Sequence, residues 1–209
     1  AAYAAVGGAF AMLVFSTAVV SIPMILDRDT DAISAAITAL LLSCGNTVDE
    51  YSRVPTYLLI DNAVHKDATL AAAMTAHAGV FVTVTITTQG GAKYFTFKSN
   101  QGTESKTVFN AIDQRRSFIL GMNSALIVGY GHSIDGIFYA YDRECPNCFN
   151  PDNLPMRSYP LTIDSRGMAT CANCKRTYDL NNGGLVATGD AGKKMTRYYA
   201  STTGPYGIL

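Results

Sequence analysis

The sequence predicts a mainly β, antiparallel fold with metal-binding loops in its second half and a hydrophobic helix at its N-terminus. Three observations carry this expectation. Residues 79–88 alternate between an aliphatic face (Val80, Val82, Val84, Ile86) and a second face (Phe81, Thr83, Thr85, Thr87), the period of a half-buried strand. Four of the five cysteines fall in two Cys-x-x-Cys pairs, Cys145/Cys148 and Cys171/Cys174, with 22 residues between the pairs. Residues 1–26 carry no charged side chain, a length that spans ~30 Å of hydrocarbon as a helix.

The elements follow in order. In the apolar N-terminal segment, Pro23 kinks or ends the helix, and Asp27, Arg28, Asp29 and Asp31 return the chain to water as a solvated membrane flank. Residues 32–43 form a second apolar run ending at Cys44, the length of a signal-peptide hydrophobic region. Leu41-Leu42-Ser43-Cys44 resembles a bacterial lipobox, which makes Cys44 the expected lipidation site; the alternative is an unmodified cysteine in a membrane helix. Residues 1–43 therefore read as a membrane or signal-like segment and 44–53 as a polar tether.

Residues 54–209 read as one β domain. A strand is expected at 56–61, and a short helix or loop at 67–76. Residues 79–88 form a strand, Gln89-Gly90-Gly91-Ala92 a turn, and 93–98 the returning strand. The polar stretch 99–114 reads as an exposed loop or insertion, and further strands fall at 124–130 and 136–142. Twelve Tyr, nine Phe and no Trp suit pleated surfaces, where aromatic rings pack well.

Composition narrows the function. Charged residues are 15% of the chain, against a usual ~25%, which agrees with a membrane-associated segment. The formal net charge is zero and basic residues do not cluster, so nucleic acid is not expected as a partner. No Ser-His-Asp pattern, carboxylate pair or Gly-rich phosphate loop accompanies the cysteines, so an electron-transfer or binding module is expected rather than an enzyme. His65, His77 and His132 lie outside the cysteine loops and read as surface or core histidines.

A Cys-x-x-Cys loop turns both sulfurs toward one point, and two such loops close a tetrahedral four-sulfur site. The spacing is close to that of zinc sites, and thiolates also hold iron–sulfur clusters. Two disulfides are the third option in an oxidising compartment.

The surroundings carry a resemblance. The strand through Gly136 and Ala140 to Cys145 resembles the dG-x-x-x-A approach to the first ligand of a Rieske ferredoxin. Cys171-Ala172-Asn173-Cys174, followed by Tyr178-Asp179 and Gly183, resembles the Rieske run C-x-x-H-G-x-x-F/Y-D-x-x-T-G. Residues 189–192 fall where the third loop near a Rieske cluster lies. The resemblance is good over 115–209, whereas 54–114 match as strands with an insertion. The departures are at the ligands: cysteines replace both histidines, and the first loop is one residue longer.

The resemblance implies a Rieske-like antiparallel β sandwich with Cys145, Cys148, Cys171 and Cys174 holding a 2Fe–2S cluster. Four thiolates would lower its potential toward ~−400 mV. The alternative cofactor is one Zn2+, a closed structural site in a non-catalytic envelope protein. Either way the expected setting is the bacterial cell envelope, anchored to the membrane by lipid or helix, with an unidentified redox or protein partner.

Overall fold

The computed structural model describes residues 50–132 and 136–209. The expected N-terminal helix, the 44–53 tether up to residue 49 and the Cys44 lipidation site lie outside the described residues. Among those described, no helix is long and apolar enough to cross a membrane.

The described chain is mainly β, with two short α-helices and two 3-10 turns. Helix α1 (Asn62–His65) is capped by Asp61, whose carboxylate accepts from the Ala63 amide; α2 (Ala68–Ala73) is capped by Asp67, which accepts from Leu70. Capping carboxylates satisfy amides that a helix start leaves unpaired. The helix-or-loop segment at 67–76 is therefore resolved as helix over its first half.

The strands are β1 (Phe81–Gln89), β2 (Ala92–Ser99), β3 (Glu104–Val108), β4 (Ala125–Tyr130), β5 (Phe138–Asp142), β6 (Leu161–Ile163), β7 (Met168–Cys171), β8 (Thr177–Asp179), β9 (Leu185–Thr188) and β10 (Arg197–Tyr198). They form a six-stranded sheet in the order β10-β5-β4-β1-β2-β3 and a four-stranded sheet in the order β6-β7-β8-β9. All pairings are antiparallel. The β1–β2 hairpin turns at Gly90 and Gly91, with φ of 59° and 81°. A two-residue hairpin turn needs positive φ at both positions, which glycine adopts without strain.

Two expectations change. Residues 56–61 form no regular strand and make only isolated bridges, Tyr57 to Ile119 and Asp61 to Ile208. The polar stretch 99–114 contains a strand, β3. It lies at the sheet edge, where only one side is paired and alternate side chains face water, so it needs no apolar face.

The central strands are buried on both sides. Val82 and Val84 of β1, Leu126 and Val128 of β4 and Ala140 of β5 join Phe95, Phe97, Phe109, Leu70 and Met74 in one core. Phe81, Ile127, Tyr139 and Tyr141, their neighbours in sequence, point the other way. They pack with Leu161, Ala169, Tyr178, Leu180, Met195, Cys145 and Cys171 in a second core. The two-residue period of the strands thus divides one sheet between an aliphatic–aromatic interior and the cysteine-bearing half.

Candidate metal centre

Each cysteine loop is fixed by the backbone. The chain leaves β5 through Asp142, Arg143 and Glu144 into Cys145, and Glu144 bridges to Pro160. The Cys148 and Phe149 amides both donate to the Cys145 carbonyl, at 3.2 and 2.9 Å, closing the first loop. The second loop is the β7–β8 turn. There the Lys175 amide donates to the Cys171 carbonyl, and the Cys171 amide to the Arg176 carbonyl, both at 3.0 Å. Lys175 takes a left-handed conformation, with φ of 61°.

The loops bring the four sulfurs within 4.8 Å of one another, a group able to hold a metal ion. Cys145 Sγ lies 3.7 Å from Cys174 Sγ, and Cys171 Sγ 3.8 Å from Cys148 Sγ. All four are free thiols, and these separations far exceed the ~2.05 Å of a disulfide. Cys145 and Cys171 are buried, whereas Cys148 and Cys174 are partly exposed.

The sulfurs have donors. Asn147 Nδ2 donates to Tyr178 Oη at 2.9 Å, which leaves the Tyr178 proton for Cys145 Sγ, 3.3 Å away. Asn173 Nδ2 donates to Cys148 Sγ at 3.3 Å. Burial pushes the Cys145 thiol up to about 12, against the pull of Tyr178. Cys148 is also raised, chiefly by burial. Cys174 goes the other way: burial opposes its ionisation, but hydrogen bonds from the Arg176 amide and guanidinium, then from Cys148 and Cys171, lower it to about 6. Cys174 is thus more readily ionised than Cys145 and Cys148, from which an arriving cation would displace protons.

Residues 190–193 lie against both cysteine loops. Arg176 Nε donates to the Asp190 carbonyl at 2.9 Å and Nη2 to that of Ala191 at 3.3 Å. Asn147 Nδ2 donates to the Lys193 carbonyl, and Asn147 Oδ1 accepts from the Lys193 amide, each at 2.9 Å. The approach is close enough that a Cβ on Gly192 would stand 2.6 Å from Asn147 Oδ1. Asn147 thus joins all three loops.

Two buried carboxylates hold the base of the first loop. Asp142 accepts from the Met122 and Glu144 amides at 2.7 and 2.8 Å and from Tyr198 Oη at 2.8 Å. Burial nonetheless raises its pKa. Glu144 accepts from Asn123 Nδ2, Ser158 Oγ and the Tyr159 amide. The supporting roles of Asn147, Arg176, Asp142 and Glu144 were not read from the sequence. Asn147 and Arg176 sat in variable positions of the motifs, and a buried carboxylate carries no local signal.

The histidines stay apart from the cysteines. The His65 side chain is buried, with Nε2 3.0 Å from Asp113 Oδ2, and His77 and His132 are exposed. No family model, curated protein or solved structure matches the chain.

Proposed function

We propose that the four cysteines hold one metal ion as a closed structural centre, and that the domain around it is a Rieske-like binding module tethered to a bacterial cell envelope. The sulfur separations carry this reading. A tetrahedral ion with bonds of ~2.3 Å to sulfur has thiolates ~3.8 Å apart, and the cross-loop pairs Cys145–Cys174 and Cys148–Cys171 stand 3.7 and 3.8 Å apart. Thiolate chemistry and tetrahedral spacing favour zinc. Zinc would supply a staple between Cys145, Cys148, Cys171 and Cys174 and no open coordination position. The chain's own part is to hold the loops in register through Asn147, Glu144 and Arg176.

A 2Fe–2S cluster and electron transfer form the second reading, favoured by a different observation. Tyr178 and Asn173 donate hydrogen bonds toward Cys145 and Cys148, which stabilise the charge of a reduced thiolate-bound centre. The partly exposed Cys148 and Cys174 would give electrons a short way out.

Metal analysis of protein purified without added metal separates the two. The expected result is a colourless protein with one zinc per chain. Iron with acid-labile sulfide, a brown-red colour and an EPR signal on reduction would overturn the zinc reading. The envelope tether, by lipid on Cys44 or by the apolar segment before it, is tested by the intact mass of the membrane-extracted chain. A cleaved, acylated chain beginning at Cys44 is expected for the lipoprotein, and an unmodified Cys44 would remove the lipid.

A further inference from the structure

The chain between the two cysteine pairs is unusually open. Residues 150–158 are all exposed, with Leu154 at 94% and Met156 at 51%. Yet this stretch is anchored at both ends. It leaves the first loop at Phe149, whose amide is tied to Cys145, and returns at Ser158 and Tyr159, both held by the Glu144 carboxylate. Within it, Asn150 Oδ1 accepts from the Asp152 amide at 3.0 Å. A leucine held out in water by fixed ends is disfavoured in the isolated molecule and gains when something covers it.

Its surroundings specify what covers it. Residues 143–198 carry eight Lys and Arg against five Asp and Glu, in a chain of zero net charge. Of the five acids, Glu144 is buried, Asp164 pairs with Arg166 and Asp179 caps the turn after β8. By contrast, Arg157, Lys193 and Lys194 pair with no carboxylate among the described residues. Two surface cavities meet at Cys148 and Asn150. One, about 310 Å³, is lined by Leu154, Pro155 and Arg157; the other, about 510 Å³, by Pro151, Lys193 and Lys194.

We propose that this face docks a protein through a segment that is acidic around an apolar side chain. The apolar residue packs on Leu154 and Met156, and the flanking carboxylates meet Arg157, Lys193 and Lys194. Electrostatic complementarity of this kind supplies orientation, and the apolar contact most of the affinity. An anionic bilayer fits less well, because it has no side chain to enter the two cavities, and Asp152 and Asp190 share the face. The inference deepens the binding-module reading and rests on it, but not on which metal the cysteines hold.

The test is a selection of random displayed peptides on the metal-loaded full chain in detergent, with metal content measured on the same sample. Enrichment of sequences with Asp or Glu around Leu, Phe or Trp is expected. A synthetic peptide from that pool should bind at least ~10-fold more weakly to Leu154→Asp and to Lys193→Glu/Lys194→Glu, as loss of a central contact does. Binding to Lys93→Glu, on the remote strand β2, should be unchanged. Each variant is compared only when it retains the wild-type metal content. No acidic–apolar enrichment, or equal binding to all variants, would overturn the docking surface. Binding to phosphatidylglycerol-containing vesicles that Leu154→Asp abolishes would overturn the protein partner in favour of a membrane. A different metal in a chain that still selects such peptides would change the centre and leave the docking surface standing.

Discussion

The two faces of the six-stranded sheet support two differently built halves. On one, Phe95 stacks near Phe97 and lies 4.2 Å from Phe109 and 5.3 Å from Phe118 by ring centroids, within a core that also takes in Leu70, Met74, Val84 and Leu126. On the other, strands of three or four residues surround two buried cysteines and three buried tyrosines whose hydroxyls need partners. Tyr141 Oη finds one in the Leu180 carbonyl, at 3.0 Å. The first half is held by apolar area. The second has short ladders and polar links around a smaller apolar cluster, so on the proposed reading an ion joining Cys145, Cys148, Cys171 and Cys174 would carry much of its stability.

Removing the metal is the strongest way to test that contrast. Structural zinc is worth ~10–16 kcal/mol in isolated finger peptides, so its loss should be felt most in the sheet that carries the cysteines. Chelation, or Cys171→Ser, is expected to abolish amide protection across β6 to β9 while β1, β2 and β4 stay protected in hydrogen exchange. Simultaneous loss in both halves would break the comparison. The converse experiment is Phe95→Ala, which leaves a cavity in the aromatic cluster at a cost of about 3–5 kcal/mol. Urea unfolding should show that loss, with metal content unchanged.

The same contrast decides what the sequence could reveal. The hairpin of β1 and β2 was legible because eight or nine residues of alternation end at Gly90-Gly91. Strand β3 was not, since Ser105, Lys106 and Thr107 suit an edge and look like a loop. Strands of three or four residues such as β6 (Leu161–Ile163) and β8 (Thr177–Asp179) are too short for periodicity to register at all. The four cysteines were legible because spacing within a motif is local. What supports them was not: Asn147 acts through Tyr178 and Lys193, 31 and 46 residues away, and no local pattern encodes such a link.

Asp142 stands between the halves, at the end of β5, and offers a smaller test. Asn in its place keeps one acceptor and adds a donor among three existing donors, so Asp142→Asn should cost about 1–3 kcal/mol. The pH dependence has a definite sign. Burial raises the Asp142 pKa in the folded state, so the stability linked to its protonated form is present below the ordinary carboxylate range. It is lost as pH rises through the raised value. The stability gap between wild type and Asp142→Asn should therefore narrow from pH 4 to pH 7. Taking the difference cancels metal release, which both proteins share. A gap that widens would mean that the hydrogen bonds to the ionised carboxylate outweigh its burial.

The smallest expected effect is at Lys175, where the cysteine-bearing half departs from what its backbone favours. The turn between Cys171 and Arg176 puts this residue at φ 61°, a conformation that costs a side chain about 1–2 kcal/mol. Glycine removes that strain but adds about 0.5–1 kcal/mol of backbone entropy to the cost of folding. Lys175→Gly is therefore expected to stabilise the metal-loaded protein by up to about 1.5 kcal/mol in urea unfolding, the net of the two. Lys175→Ala removes the same charge and keeps the strain, so it should gain nothing. Equal gains from both would assign the effect to the lysine's charge beside the basic face, and the turn geometry would then carry no stored cost.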